Sequence, residues 1–480
     1  MTNSRSVPPA PRALPLVGHL IPLARKPLEF LDSLPAHGEL VRIQLGPFPL
    51  VVICDPELTR QALIDDRLFD KGGPIFDRVR EVVGDHGLAS CPYGTHRRLR
   101  RLAQPAFHPA RLPGYAKTMS ACVEEATASW RAGHVLDVPT EMMTITSKIT
   151  VATLFSSALP EGELGPVLND VKTFFDGFYR RMLMVPPLDR LPTPGNRSHL
   201  RARTRLRSTF DQIIARRRTE HVDHDDLLSA LLLARDPEDN RHGMTDTEIS
   251  DTIVTFFLAG TETTAALLAW ALDLLARHPR IEQRLHAEVD AVLDGATATH
   301  ADLPRLELTH RVLTETLRLR PPGWIFTRTV TADTRLGGYL LPAGSCVVYS
   351  PYLIHHRPDL YDSPGTFDPD RWDPQRPQPP RHALLPFAAG ARKCIGDTFG
   401  MTESVLALAT IAARWRLEHV PGQQVRPALG LALRPRKLRM RATPRTAAQC
   451  GRAPFTSRRT APPAPSPSPR TPPARPPTSR

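Results

Sequence analysis

Cys394 has the sequence surroundings of a thiolate that binds a metal. It lies in the stretch PFAAGARKCIG (386–396), which carries Gly390 before the cysteine and Gly396 after it. Glycines let a loop turn its N–H groups toward one atom, and a helix that begins after the cysteine adds its N-terminal dipole. Such donors stabilise a thiolate, which as an axial ligand of haem iron favours O–O cleavage. A small buried cysteine without chemistry is the alternative interpretation.

A carboxylate and a hydroxyl adjoin each other inside a long apolar stretch. Glu262 and Thr263 lie near the middle of TIVTFFLAGTETTAALLAWALDLLA (252–276). Activation of dioxygen on iron needs protons at the distal oxygen, and a hydroxyl that opens the helix ladder beside a carboxylate could relay them. Ala259 and Gly260 would leave room for dioxygen and permit a local kink. Threonines that merely bond back to the helix are the alternative, but a buried carboxylate without a role is costly.

Glu315 and Arg318 share one face of a predicted helix. THRVLTETLRLRPP (309–322) predicts a helix that ends at the prolines, with the two charges at i, i+3. Such a pair is usually exposed and contributes little to stability. Here Leu313 and Leu317 lie beside it, which predicts burial and the need for a third partner.

These three stretches together resemble the cytochrome P-450 superfamily, over about residues 12–440. The spacing Phe-x-x-Gly-x-Arg-x-Cys-x-Gly resembles its haem-binding loop. The resemblance implies a mainly α fold with a small β-sheet portion, a single triangular-prism domain that encloses haem b (iron protoporphyrin IX). Cys394 would then ligate the iron.

The resemblance also implies roles for individual residues. Arg371, in FDPDRW (367–372), would complete a Glu-Arg-Arg cluster with Glu315 and Arg318 that holds the irregular segment before the cysteine loop. Glu262 and Thr263 would form the acid–alcohol pair. The further residues expected around the haem, as propionate partners or beneath the sulfur, are His96, Arg100, Arg328, Arg392 and Phe387.

Longer stretches, among them DKGGPIFDRVREVVGD (70–85), resemble actinobacterial sesquiterpene oxidases, which implies a small apolar substrate such as a terpene. Six aromatic residues are expected from family position to line an apolar pocket suited to it. They are Phe76, Phe174, Phe178, Phe257, Trp324 and Phe326.

Electrons are expected from separate proteins, because the sequence contains no GxGxxG fingerprint for a flavin or nicotinamide cofactor. We expect NAD(P)H to supply them through a ferredoxin reductase and a ferredoxin. Arg97, Arg98, Arg101 and Lys393 would steer an acidic ferredoxin to the cysteine side of the haem. A peroxide-driven peroxygenase, which could dispense with the acid–alcohol pair, and a thiolate-haem gas or redox sensor are the alternatives.

The elements that must position these residues are mostly helical. Alternating residues at 39–45 and 50–54 predict a β-hairpin, and Asp55-Pro56 begins a helix through Ile64. Residues 70–90 are glycine-rich and predict a long loop. Helical patterns follow to about residue 320, short strands at 335–350, an irregular region at 357–386 and a helix after Cys394.

Composition divides the 480 residues into a flexible lead (1–13), a catalytic domain (14–440) and a disordered Pro/Arg-rich tail (441–480). The tail holds eight of the charges in the net +13, which leaves +5 for the rest and argues against a specific nucleic-acid partner.

Six cysteines without CxxC pairs fit a reducing cytoplasm. The apolar stretch at 252–276 is long enough to span a membrane, but its polar middle favours a core helix of a monomeric protein without a membrane span.

Overall fold

The computed structural model describes residues 5–156, 162, 164–182, 191–220, 222–238, 242–380 and 382–445. The predicted tail therefore lies outside the described residues from 446 onward. Residues Met1–Pro444 form one compact unit.

Helices account for most of the chain up to residue 320, as the periodicity predicts. The α-helices of the described residues are α1 (Leu20–Arg25), α2 (Pro27–Ser33), α3 (Pro56–Ile64), α4 (Pro74–Val83), α5 (Tyr93–Ala103), α6 (Leu112–Ala128), α7 (Val138–Phe155), α8 (Leu164–Met182), α9 (Pro194–Glu220), α10 (Leu227–Leu233), α11 (Asp246–Arg277), α12 (Pro279–Leu293), α13 (Glu307–Leu319), α14 (Pro351–His355) and α15 (Asp397–Arg414).

Among the described residues, short strands form four small sheets. The strands are β1 (Leu40–Leu45), β2 (Phe48–Ile53), β3 (Phe69–Lys71), β4 (Val135–Asp137), β5 (Phe326–Val330), β6 (Thr334–Leu336), β7 (Tyr339–Leu341), β8 (Cys346–Tyr349), β9 (Trp415–His419), β10 (Pro427–Leu429), β11 (Leu433–Pro435) and β12 (Arg439–Pro444). The largest sheet has the order β1-β2-β8-β5-β3, in which only β2 and β8 run parallel. The others are β4-β12-β9, β10-β11 and β6-β7.

Helix α11 forms the axis of the main core and packs against α7, α9, α13 and α15. It begins at a capping box, in which Thr245 and Glu248 satisfy each other's backbone N–H groups. It is long and apolar enough to cross a membrane, but 83% of its most apolar window is buried inside the protein. The prediction of a core helix at this position is therefore confirmed.

The predicted β-hairpin is present as β1 and β2, and α3 spans the predicted helix with Asp55 accepting from the Leu58 N–H. The prediction of a long loop at 70–90 is wrong, because β3 and α4 lie in this stretch. Pro74 occupies the first turn of α4, and Gly73 has a φ of 88° close to the Cys346 side chain, so the glycines end the strand and start the helix.

Two stretches next to the predicted domain boundaries take part in the packing of the compact unit. Residues 5–13, expected to be a flexible lead, run beside β1, where Ala10 is buried and its N–H donates to the Arg42 carbonyl at 2.8 Å. At the other end β12 continues past residue 440 to Pro444, because it pairs with β9 on one side and β4 on the other.

Candidate active site

The cysteine loop is held by its backbone and by one glycine that nothing larger could replace. The Cys394 N–H donates to the Phe387 carbonyl at 2.9 Å. Gly390 has a φ of 72°, and a Cβ there would lie 2.2 Å from the Leu63 carbonyl oxygen at the end of α3. The loop therefore fits tightly against α3, and it leads into α15 directly after Gly396.

Cys394 lies at the N-terminus of α15 with a backbone donor directed at its sulfur. Burial raises the pKa of the thiol, while the Gly396 N–H and the Arg100 and Lys393 cations act in the opposite direction. The side chain is nevertheless exposed to open space next to the loop. Phe387, expected beneath the sulfur, contacts the loop through its carbonyl, which accepts from the Cys394 N–H.

Glu315 and Arg318 form a completely buried ion pair. Arg318 Nε donates to Glu315 Oε2 at 2.9 Å, and Nη2 donates to Oε1 at 2.8 Å. The third member, Arg371, has its Nε 3.6 Å from Glu315 Oε1. The predicted cluster of Glu315, Arg318 and Arg371 is therefore assembled in the structure.

The remaining donors of this cluster hold the irregular segment that precedes the cysteine loop. Arg318 donates to the carbonyls of His355, Pro364 and Thr366 at 2.7–3.1 Å. His355 Nε2 in turn accepts from the Leu385 N–H at 2.8 Å. Burial lowers the pKa of His355 to about 3, so the imidazole is neutral and can accept this bond.

Two aromatic residues complete the cluster, and sequence reasoning missed them. Trp372 Nε1 donates to Glu315 Oε2 at 2.9 Å. The Tyr361 ring lies under both guanidinium groups, 5.0 Å from Arg318 and 5.6 Å from Arg371. Trp372 directly follows Arg371 in FDPDRW, so the motif itself carried a signal for its role.

Five basic residues converge near the cysteine loop: Lys71, His96, Arg100, Arg328 and Arg392. Lys71 in β3 lies directly opposite Arg328 in β5. His96 is buried, and burial together with the nearby Arg392, Lys71, Arg100 and Arg328 cations lowers its pKa to about 3. The Arg328 guanidinium is buried with Nε and Nη1 lacking a partner among the described residues. Like charges placed in this way are destabilising unless an anion lies between them.

Lys71 is a member of this group that sequence reasoning missed. Its ammonium donates to the Ala89 carbonyl at 2.6 Å and lies 5.3 Å from the centre of the Phe76 ring. Burial, followed by the Arg328 and Arg392 charges, lowers its pKa well below the usual range. The sequence stretch DKGGP (70–74) contains this lysine, but the prediction of a loop there gave no reason to place it opposite Arg328.

Arg392 and Arg100 were expected to bind propionates, but both also hold the protein together. Arg392 donates to Asp66 Oδ2 at 3.1 Å, to Asp70 Oδ1 at 2.7 Å and to the Cys91 carbonyl at 2.9 Å. These bonds use three of its five N–H groups. Arg100 donates to the Lys393 carbonyl at 2.5 Å and so contacts the cysteine loop itself.

Ala259 and Thr263 form an exposed stripe on the otherwise buried helix α11. Both side chains are exposed, Gly260 is half-buried, and the neighbouring positions of the helix are buried. Thr263 Oγ1 donates to the Ala259 carbonyl at 2.6 Å. The hydroxyl therefore bonds back to the helix and at the same time faces open space.

Glu262 points away from this stripe, into a separate cavity. The carboxyl is 1% exposed, and Oε1 accepts from the Ala432 N–H at 3.2 Å. Oε2 has no partner within the part of the chain that the structure describes. Burial raises the pKa of Glu262 to about 7, against the lowering effects of Arg434 and the Ala432 N–H.

The structure does not bring the six predicted pocket aromatics together. Phe174, Phe178 and Phe257 are at most 5% exposed and pack in the core beside α9, where Phe257 contacts Phe210. Phe174 and Phe257 border one small cavity there, and Phe256 faces a different side because one residue along a helix turns a side chain by about 100°. Phe256 lies on the same face as Ala259 and Thr263.

The other three aromatics also have partners inside the protein. Trp324 is buried in a second core cluster and donates from Nε1 to the Gly430 carbonyl at 3.1 Å. Phe326 stacks on Tyr349 with ring centres 5.1 Å apart. Phe76 lies beneath the Lys71 ammonium. Their role as pocket residues stays a prediction.

Two of the arginines expected to attract a ferredoxin are engaged in ion pairs. Arg98 pairs with Glu248 at 2.8 Å, and Arg101 pairs with Asp236 at 2.8 Å, which connects α5 to the segments before and within α11. Lys393 pairs with Asp397. The positive field on this face is therefore weaker than the arginine count of α5 suggests.

These observations fit a haem group. An exposed cysteine sulfur with a backbone donor would supply the axial ligand, and the exposed stripe of α11 would accommodate an apolar macrocycle and a small gas molecule. The unpartnered nitrogens of Arg328, with Lys71 and His96 beside them, would bind propionates.

Comparison with known proteins agrees with this geometry. The Cytochrome P450 family model matches residues 8–441. The chain is 45% identical to Pentalenene oxygenase from Streptomyces avermitilis, over 92% of this chain and 98% of that protein. It is also 45% identical to Cyclooctat-9-en-7-ol 5-monooxygenase from Streptomyces melanosporofaciens, over 86% and 90%.

A solved structure is similar as well. The crystal structure of the cytochrome P450DA heme domain matches with a TM-score of 0.83 and 27% identity, and the match covers 93% of this chain and all of that one. The predicted mainly α fold with small sheets is thereby confirmed. The chain belongs to the cytochrome P450 family.

Proposed function

We propose that this protein is a haem-thiolate monooxygenase that inserts one atom of dioxygen into a C–H bond of an apolar terpene. The observation that carries the proposal is Cys394, whose sulfur faces open space at the N-terminus of α15 and receives the Gly396 N–H. The relatives named for terpene oxygenation support the reaction class.

In this proposal Cys394 ligates the iron of haem b, and Arg328, Lys71, His96 and Arg100 hold the propionates. When bound, the haem supplies the iron on which dioxygen is activated. The buried cluster of Glu315, Arg318 and Arg371 keeps the segment before the cysteine loop in place. The protein thus fixes the ligand before the haem binds, which lowers the entropic cost of binding.

Proton transfer is proposed to take place along α11, on the face of the haem opposite Cys394. Thr263 Oγ1 is the group that would donate to an oxygen lying against the exposed stripe, since its hydroxyl can exchange the Ala259 carbonyl for a new acceptor. Glu262 is the neighbouring acid that would restore the proton. A carboxyl whose pKa lies near 7 is suited to give and take protons at neutral pH.

The substrate is proposed to be a terpene related to pentalenene or cyclooctat-9-en-7-ol, the compounds in the relatives' names. An apolar molecule suits the side of α11 that carries Phe256 and Ala259. We further propose that electrons come from NAD(P)H through a ferredoxin reductase and a ferredoxin in the cytoplasm, and that the protein acts as a monomer. Bacterial members of the family generally receive electrons from separate redox partner proteins, which supports this proposal.

The test begins with the absorption spectrum of the reduced protein under carbon monoxide. A strongly red-shifted Soret band is expected for thiolate-ligated haem, and a histidine-like band would contradict the assignment of Cys394. The second step is turnover of pentalenene and cyclooctat-9-en-7-ol with NADPH and a surrogate ferredoxin system, with products identified by mass spectrometry and ¹⁸O₂ labelling.

The outcomes separate the alternatives. Product with one ¹⁸O atom that requires NADPH supports a monooxygenase. Product formed only from hydrogen peroxide would show a peroxygenase instead. A normal thiolate spectrum without binding shifts for either terpene, and with no oxidation of a broader terpene panel, would favour a gas or redox sensor.

A further inference from the structure

A cavity lies behind α11, on the side of the helix away from the exposed stripe. It has a volume of about 150 Å³ and lies between α7, α8, α11 and β11. Glu262 and Ala266 line it from α11, whereas Ala259 and Thr263 lie on the exposed face of the same helix. The cavity is therefore separate from the space that the proposed haem and terpene would occupy.

Most of the cavity wall is apolar. Met143 lines it from α7, Val171 and Phe175 from α8, and Ala266 and Ala269 from α11. Such a wall gives water few hydrogen-bond partners, whereas an apolar cavity of about this volume in another protein stays dry and binds benzene. The volume therefore suits a hydrocarbon group about the size of one benzene ring.

Glu262 adds one buried polar atom to this apolar wall. The side chain is 1% exposed, and its Oε1 accepts from the Ala432 N–H at 3.2 Å. Oε2 has no partner among the described residues. A buried carboxyl oxygen without a partner is costly, so a ligand that brings a hydroxyl group to it gains a hydrogen bond as well as apolar contact. A hydroxyl group can pair with either protonation state of the carboxyl, because it both donates and accepts.

The hairpin of β10 and β11 fixes the orientation of this carboxyl. Trp324 Nε1 donates to the Gly430 carbonyl, and Trp270 Nε1 donates to the Leu433 carbonyl at 3.0 Å. These bonds anchor the chain on both sides of the residue whose N–H holds Glu262 Oε1. Oε2 is thus presented in one orientation, which lowers the entropic cost of binding a partner.

Exposed side chains of the lining mark where a ligand enters. Thr144 on α7 and both Lys172 and Asp176 on α8 line the cavity and are exposed to solvent. The opening therefore lies between α7 and α8, with Glu262 at the buried end. Lys172 and Asp176 carry opposite charges, so the opening does not select for an anion or a cation.

We propose that this cavity is a second binding site, for a small apolar molecule with a single hydroxyl group. The hydroxyl group pairs with Glu262 Oε2, and the hydrocarbon part lies against α8 and α11. A terpene as large as pentalenene exceeds the volume, so the ligand is a different molecule from the proposed substrate. Binding can be measured without turnover and does not depend on the proposed function.

The first experiment compares phenol with fluorobenzene, which has nearly the same shape but no hydroxyl group. Binding of each compound to the haem-loaded protein is measured by isothermal calorimetry, and fluorobenzene binding is checked by fluorine NMR. Phenol should bind to the wild type at least as tightly as fluorobenzene. In Glu262→Leu, phenol should bind about tenfold more weakly because its hydroxyl group loses its partner, and fluorobenzene should bind as in the wild type.

Fluorobenzene is the internal control, since its unchanged affinity shows that the cavity of the variant is intact. An equal ratio of the two affinities in Glu262→Leu and in the wild type would overturn the assignment of Glu262. If Glu262→Leu does not fold, a wild type that binds fluorobenzene more tightly than phenol would overturn it instead.

The second experiment locates the site by filling it. Ala266→Leu places extra volume in the cavity, and both compounds should bind at least about tenfold more weakly because the space is taken. Ala276→Leu is the matched control, on the same helix but outside the lining, and should bind both like the wild type. Leu168→Trp, at a half-buried part of the lining on α8, is the second variant if Ala266→Leu does not fold. Phenol binding as tight as in the wild type in a folded filled variant would refute the cavity as the site.

The Soret band recorded in the same titrations separates the cavity from the haem. Phenol in the cavity should leave the band in place, whereas a shift that follows the binding curve would place the phenol beside the iron and overturn the inference. The carbon monoxide spectrum then separates the two proposals. A normal thiolate band without phenol binding refutes only the second site. A missing thiolate band refutes the proposed function, while the phenol titration still decides whether the cavity binds its ligand.

Discussion

The cysteine side and the central-helix side of the molecule differ in how completely their polar groups are paired. Glu315 and Arg318 are fully buried, and the protein supplies acceptors and donors to both. On α11, Glu262 is equally buried but has one oxygen without a partner in the described chain, and Thr263 is exposed.

The difference shows that buried carboxyl groups in one protein can be suited to opposite tasks. A buried ion pair with every group satisfied fixes one conformation and costs much to break. A buried carboxyl with one free oxygen and a pKa near 7 can change its protonation state at little cost. In the proposed function, the first region would hold the cysteine ligand in place and the second would transfer protons.

The largest effect is expected at the ligand itself. Cys394→Ser should abolish the red-shifted Soret band of the reduced, carbon monoxide-bound protein, because the thiolate is lost. Cys122→Ser, on α6, is the control and should retain the band. A band that survives in Cys394→Ser would remove this residue from the iron.

The buried pair of Glu315 and Arg318 should lose much of its contribution to stability when the guanidinium is replaced. Arg318→Lys cannot reproduce the two-pronged bond to Glu315 and three carbonyl contacts, so we expect a loss of about 3–5 kcal/mol in the free energy of unfolding. Denaturation monitored by circular dichroism measures it.

The control for this loss is Arg284→Lys, which alters a similar two-pronged pair with Asp370 at the surface. Its cost should stay below about 1 kcal/mol. Equal costs for the two variants would contradict the contrast between buried and exposed pairs.

Glu262 should make the free energy of unfolding depend on pH. Burial raises the pKa of Glu262 from 4.5 to about 7, so the folded protein binds a proton more tightly than the unfolded chain. The contribution of this group is therefore most favourable below pH 4.5 and declines as pH rises through 7, by about 3 kcal/mol in total.

Glu262→Gln should remove this dependence while it keeps an oxygen for the Ala432 N–H. Relative to the wild type, the variant should gain stability between pH 5 and pH 8, measured by denaturant unfolding at both values. An unchanged difference between the two proteins would show that Glu262 does not titrate in this range.

A smaller structural effect is expected at Thr263. Thr263→Ala should bind haem and unfold like the wild type, because the side chain is exposed, but it should divert reducing equivalents to hydrogen peroxide. Peroxide formed per NADPH consumed during pentalenene oxidation measures this. Thr264→Ser, on a buried face of α11, is the control, and unchanged coupling in Thr263→Ala would exclude the hydroxyl from proton transfer.

The smallest effect is expected from removal of residues 446–480. This truncation keeps β12 intact, whereas truncation at 440 would remove most of that strand. We expect an unchanged carbon monoxide spectrum and the loss of any retention on heparin or DNA. Retention by the truncated protein would place a polyanion-binding surface in the domain.

The sequence by itself determined the parts of the site whose residues are neighbours in the chain. Cys394 and its glycines, the pair of Glu315 and Arg318, and the adjoining Glu262 and Thr263 could be identified because each group lies within one loop or one helix. Helix periodicity and cap residues also located most elements, including α3 and α11.

Only the tertiary structure decided which side chains face one another across the fold. Lys71 joins Arg328 through the pairing of two strands more than 250 residues apart, and no local pattern reports such a pairing. Phe257 packs in the core while Phe256 lies on the face of Ala259, because one residue turns a helix by about 100°. Arg434 and Glu262 line the same cavity only because a hairpin packs against α11, since long-range packing rather than local propensity brings them together.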